Sequence, residues 1–273
     1  FEGSSHGRSS AGIAAAGSEK MTNGFGPLLP GFTHLPWGDI EAVEAAITDH
    51  TAVVMIEPVQ GEGGIRPASD QMLKDLRALC DARGIMLILD EVQCGVGRTG
   101  RLFAHEWADI TPDVMLVAKG IGGGFPLGCV LASEEAASGM TSGTHGSTYG
   151  GNPLACAVGN AVMDQIANEV FLAEVNRKSS LFRQKLEALV TSHPDVLESV
   201  RGQGLMLGLK CRAPNTDLVQ AGYDALVATV PAADNVVRLL PPLTITDEEI
   251  SQAITRLDAA ASAVAKQLAS ELA

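Results

Sequence analysis

Two short apolar runs, VVMI at Val53–Ile56 and IMLIL at 85–89, flank a stretch with helical periodicity, and this arrangement limits the possible folds more than any other feature. The intervening SDQMLKDLRALCDARG opens on Ser69, whose hydroxyl suits the free N–H groups of a helix start, and stops on Gly84. Between them Met72, Leu73, Leu76, Leu79 and Cys80 recur on one face. A strand, a one-faced helix and a second strand make a βαβ crossover, which joins parallel neighbours. Further apolar runs at Val114–Val117 and 128–132 add two strands, and runs apolar nearly throughout predict burial on both faces of the sheet. The link from Val117 to Cys129 is too short for a crossover helix, so the last strand is predicted antiparallel to its neighbour.

From about Asn152 the pattern becomes helical, as one long helix or two with a bend. Short strands are expected in GLMLGLKC and NVVRLLPPLTI, followed by a closing helix whose Thr246 and Glu249 have capping-box spacing. The expected organisation is an incomplete large α/β domain over 1–155, then an interdomain helix and a smaller C-terminal α+β domain over 156–273.

The 19 Lys and Arg face 32 Asp and Glu, a net charge of −13, which disfavours nucleic acid and anionic membranes because both are held by clustered cations. No apolar run approaches the roughly 20 residues of a membrane span. Five scattered cysteines form no C-x-x-C pair, so neither a disulfide framework nor a zinc site is expected, and a reducing cytoplasm fits. The opening Phe1-Glu2-Gly3 reads as the interior of a longer protein.

Ligands of open α/β sheets bind beyond the carboxyl ends of the strands, where this chain places Glu57, Asp90 and Lys119. Asp90 and Lys119 end successive predicted strands, so both side chains can meet in one crevice. A desolvated lysine there is a candidate nucleophile for a Schiff base; a solvated strand-end lysine is the plain alternative. The apolar run before Asp90-Glu91 also suits the magnesium-binding strand of a P-loop ATPase; no Gly-Lys dipeptide in this chain supplies the phosphate loop, so that alternative stays open only through a preceding N-terminal portion. Glycines 122–124 are expected to form a tight turn. Ser147 and Thr148 precede a helix start, where they either hold a phosphate or make a polar turn. Arg238 lies among apolar residues, facing outward or offering its planar fork to a carboxylate, and Arg8 poses the same choice. Glu62, in a glycine-rich loop, meets an arginine or water. His6 and His145 are read as hydrogen-bonding loop residues.

The motifs HGR, EPVQGEGG, LDEVQCGVGRTG, AKGIGGGFP, HGSTYGGNPLA and VVRLLPPL, in this order over nearly the whole chain, closely resemble the class III pyridoxal-phosphate aminotransferases. The resemblance implies a fold-type I homodimer with pyridoxal 5′-phosphate as cofactor. Lys119 then attaches the cofactor and shuttles a proton, Asp90 pairs with the pyridine nitrogen, Val92 packs on the ring and Gln93 lies near its phenolic oxygen. Ser147 and Thr148 would reach the cofactor phosphate of the partner subunit. Arg238 would bind the α-carboxylate of glutamate or 2-oxoglutarate, Glu62 would neutralise that arginine while the amino donor is bound, and Arg8 would hold the far carboxylate. Within the family the pattern is most similar to members acting on N-acetylornithine and 2-oxoglutarate, with ornithine, succinylornithine and 4-aminobutyrate as alternative donors. Ser5 stands where the family usually carries an aromatic, which implies weaker cofactor retention. The family also has roughly a hundred further N-terminal residues, which leaves an inactive fragment as the remaining reading.

Overall fold

The computed structural model describes residues 1–271. Among the described residues ten strands follow one another as β1 Val53–Ile56, β2 Val59–Gln60, β3 Arg66–Pro67, β4 Met86–Asp90, β5 Val114–Val117, β6 Cys129–Ala132, β7 Leu197–Gln203, β8 Met206–Cys211, β9 Val230–Ala232 and β10 Val236–Leu239. They fall into two units. The first contains Phe1–Pro58, Ala68–Gly97 and Arg101–Leu172; the second contains Val59–Pro67, Arg98–Gly100 and the chain from Ala173 onward.

The first unit is built on a sheet of order β1-β4-β5-β6. β1, β4 and β5 are parallel and β6 runs antiparallel to β5, as the short link after Val117 requires. The crossover from β1 to β4 is the helix Asp70–Arg83. Its N-terminus is capped by Ser69 Oγ, which accepts the Met72 N–H at 3.1 Å, and it ends at Gly84, whose φ of +63° suits a residue without Cβ. Met72, Leu73, Leu76 and Cys80 on its inner face pack with Ile56, Leu87 and Leu89 of the sheet. Fully burying a leucine contributes about 1.5–3 kcal/mol, so burial of this face stabilises the crossover.

Burial on both faces of this sheet is not observed. β4 and β5 alternate between buried and half-buried residues, and β6 is exposed along its length, with Val130 66% accessible. The helix Asp70–Arg83 covers one face, and among the described residues nothing covers the other to the same degree.

The second unit carries an antiparallel sheet of order β7-β8-β10-β9 and the two-stranded β2-β3. β8 is buried at five of its six positions, and Val175, Phe182, Leu186 and Leu189 of the helix Glu169–Ser192 are buried as well. The helical stretch after Asn152 is two helices, Pro153–Ile166 and Glu169–Ser192. Asn168 causes the break, because its Oδ1 accepts the N–H of Val170 at 2.9 Å and so starts a new helix. The closing helix Asp247–Glu271 opens with the expected capping box: Thr246 Oγ1 accepts the Glu249 N–H at 3.2 Å, and Glu249 Oε2 accepts the Thr246 N–H at 2.8 Å. No helix among the described residues is long and apolar enough to cross a membrane.

Candidate active site

In the first unit, parallel pairing sets Asp90, the last residue of β4, opposite Leu116 of β5, so Lys119 follows three residues beyond that register point. Asp90 is 4% exposed. Its Oδ1 accepts the Val92 N–H at 3.0 Å, and its Oδ2 lies 2.8 Å from Nδ1 of His6. An ionised carboxylate only accepts, so Nδ1 of His6 carries the shared proton. Lys119 opens a short 3₁₀ turn, Lys119–Gly122, with a φ of +47°, and its side chain is exposed rather than desolvated. The glycines after it form the tight turn into β6.

The adjacent Asp90 and Glu91 serve opposite directions. Glu91 is fully buried and accepts the N–H groups of Ala104 at 2.6 Å and His105 at 2.9 Å, while Nδ1 of His105 lies 2.8 Å from its Oε1. That anchorage closes the turn carrying Val92 and Gln93, which are half-buried beside Asp90. Ser147 and Thr148 are exposed, and Ser147 Oγ accepts the Gly150 N–H at 3.0 Å. The N-cap of the following helix is Asn152, not either of these hydroxyls. Arg8 is exposed.

In the second unit Glu62 and Arg238, separated by 176 positions, form an ion pair of 2.8 Å between Oε1 and Nη1. Arg238 lies in β10 between β8 and β9, with 8% of its side chain exposed, whereas 35% of Glu62 is accessible. The Arg238 Nε is buried without a hydrogen-bond partner. Glu62 therefore uses one edge of the guanidinium and leaves a buried donor unsatisfied, an arrangement suited to an exchangeable carboxylate.

His6 is a hydrogen-bonding residue whose partner the sequence does not reveal. Its place in a loop implies a hydrogen bond, but nothing in the sequence indicates a partner 84 positions away.

The fold is that of the fold-type I pyridoxal-phosphate aminotransferases. It superposes on the ornithine aminotransferase of Toxoplasma gondii with a TM-score of 0.92 at 32% identity, covering 97% of this chain and 64% of that one. For the N-acetylornithine aminotransferase of Stenotrophomonas maltophilia the TM-score is 0.79 at 36% identity, covering 88% and 65%. The chain belongs to the class III aminotransferase family, whose description matches residues 1–261. It is 63% identical over 267 residues to the acetylornithine aminotransferase of Rhodobacter capsulatus and 58% identical over 269 residues to that of Mesorhizobium japonicum. It covers 68% and 67% of those relatives, so it spans about two thirds of their length.

Class III aminotransferases use pyridoxal phosphate, and the residues present fit it. Asp90 is buried and each of its oxygens has one partner, which leaves a lone pair for the N–H of a protonated pyridine ring. Lys119 supplies an amine three residues past the strand register that holds Asp90.

Proposed function

We propose that the protein carrying this chain transfers the δ-amino group of N-acetylornithine to 2-oxoglutarate, giving N-acetylglutamate 5-semialdehyde and glutamate. The observation that carries this reading is the placement of Asp90 and Lys119 at the ends of adjacent parallel strands. The donor is proposed from the relatives, which are named acetylornithine aminotransferase at 54–63% identity.

Bound pyridoxal phosphate supplies an electron sink for the charge left on the substrate carbon. Asp90, oriented by His6 and the Val92 N–H, holds a proton at the ring nitrogen. Lys119 attaches through Nζ and carries a proton to and from the substrate carbon. Val92 would pack against the ring face and Gln93 would lie near its phenolic oxygen. Ser147 and Thr148, exposed in this chain, would reach the cofactor phosphate of the partner subunit of a homodimer. Arg8 holds the donor carboxylate. Glu62 covers Arg238 while the donor is bound and yields it to the α-carboxylate of 2-oxoglutarate, for which the unpartnered Nε is a second donor. The cytoplasm is the proposed location.

Adding pyridoxal phosphate is expected to give a visible absorbance band that Lys119→Ala abolishes. A band that survives the substitution overturns the assignment of Lys119. Amine turnover with 2-oxoglutarate, compared across N-acetylornithine, ornithine, succinylornithine and 4-aminobutyrate, decides the donor.

A further inference from the structure

Glu62 reaches Arg238 from a loop that is itself fastened by residues with no role above. The loop joins β2 to β3, and its Glu62 carbonyl oxygen accepts the Ala233 N–H at 2.9 Å. Gly64 meets the same turn, where a Cβ would stand 2.7 Å from the Ala233 carbonyl oxygen at a φ of +109°, so the close approach requires glycine.

Arg201 on β7 spans this junction. Its Nη1 donates to Asp234 Oδ2 at 2.6 Å and to the Gly64 carbonyl oxygen at 3.4 Å. Lys210 on β8 donates to the carbonyl oxygen and Oδ1 of Asp234, at 2.6 and 2.7 Å. Asp234 and Asn235 have φ of +55° and +52° in the turn from β9 to β10, a backbone that these two residue types tolerate well. The turn leads directly into the strand of Arg238. Arg201, held by the Asp234 carboxylate, therefore links the loop that carries Glu62 to the turn that leads into the strand of its partner.

We propose that Arg201 and Asp234 are positioning residues that set how firmly Glu62 covers Arg238, and thereby the preference of the pocket between an amino donor and a dicarboxylate. The proposal rests on the exchange at Arg238 proposed above. With the loop fixed, Glu62 competes for the guanidinium with little ordering entropy left to lose; with the loop released, it must order its own backbone each time it returns. An incoming carboxylate then wins at lower concentration. The clasp pairs are partly exposed, with 27% of Arg201 and 48% of Asp234 accessible, so the effect is graded rather than absolute.

The test uses the cofactor-loaded protein and glutarate, a dicarboxylate that cannot react. Calorimetry is expected to show Arg201→Met and Asp234→Asn binding glutarate about threefold to tenfold tighter than wild type, the size expected for a partly exposed, graded contact. Amides 61–65 should exchange hydrogen faster in both variants. The KM for 2-oxoglutarate should fall while the kcat of the donor half-reaction holds, and Arg201→Lys, which keeps a donor, should lie nearer wild type. Adding Arg201→Met to Glu62→Gln should change nothing further. If Glu62→Gln tightens glutarate but the clasp variants do not, the clasp is overturned and the exchange at Arg238 stands. If Glu62→Gln leaves glutarate binding unchanged, the exchange itself falls, and the clasp with it. Equal losses in every parameter with a lowered melting temperature would mark a merely structural role and also overturn the clasp. Should Arg201→Met fail to fold, the surface change Asp234→Asn decides.

Discussion

Nδ1 of His6 and Oδ2 of Asp90 stand 2.8 Å apart, with 3% and 5% of their side chains exposed. The backbone of Ser5 next to His6 is also held, because its N–H donates to the buried Glu57 at 2.8 Å. The imidazole is thus aimed at the carboxylate from a fixed segment, and fixes which Asp90 lone pairs remain for a further donor. His6→Phe is expected to weaken pyridoxal-phosphate retention by about 10- to 100-fold, the loss of one hydrogen bond to a charged group. Equilibrium dialysis measures this. Unchanged retention would mean that the Val92 N–H alone orients Asp90.

Arg238→Lys separates the two half-reactions. A lysine preserves charge but loses the planar fork, including the Nε left open in the ion pair with Glu62. The KM for 2-oxoglutarate is expected to rise about 10- to 100-fold while the single-turnover rate of the donor half-reaction stays within about threefold. Equal damage to both would show that Arg238 does not discriminate between them.

Asp113 makes stability depend on acid. Burial alone pushes its carboxyl pKa up, but the Leu87 N–H at 2.7 Å and the Arg77 guanidinium at 2.8 Å outweigh burial and hold it below the ordinary value. A carboxylate depressed in the fold stabilises above its unfolded pKa of about 3.9, and loses that contribution as pH falls through the folded value. Asp113→Asn should therefore cost about 1–2 kcal/mol at neutral pH, with the gap from wild type narrowing below about pH 4. Urea unfolding at the two pH values checks this.

Thiol labelling reports the core directly. Burial pushes the thiols of Cys80 and Cys211 up to about 11 and about 12, and Cys94 is buried too. Cys129 and Cys156 are exposed, although partial burial raises the pKa of Cys129. In this chain a thiolate-directed reagent should modify Cys156 first and Cys129 more slowly, and reach the other three only after unfolding. Mass mapping of labelled peptides would expose an error if Cys80 or Cys211 reacted early.

The crossover β1–helix–β4 was legible because period, cap and stop residue agree at Ser69, Leu76 and Gly84. β6 could be oriented from link length alone. β7 was not foreseen: LESVRGQ contributes one fully buried side chain, Leu197, and owes its strand to pairing with β8. β9 contains Pro231 and is held by β10, and neither its composition nor its three-residue length announces a strand. Equally hidden was the assignment of Val59–Pro67 and Arg98–Gly100 to the second unit, since such groupings come from contacts distant in sequence. Strand-end position singled out Asp90 and Lys119, an apolar setting singled out Arg238 and a glycine-rich loop Glu62, and the family motifs gave these two their roles, but partners such as His6 and Arg201 carry no local signature.

Lys119 holds a backbone conformation that glycine adopts freely and lysine does not, with φ at +47°. Left-handed geometry costs a side-chain-bearing residue roughly 1–2 kcal/mol, so the fold would be firmer with glycine there. Lys119→Gly should then melt at a higher temperature than Lys119→Ala while being equally unable to attach the cofactor. On the role proposed for Lys119, the residue on which the chemistry depends is also a local source of weakness, and selection for thermal endurance alone would discard it.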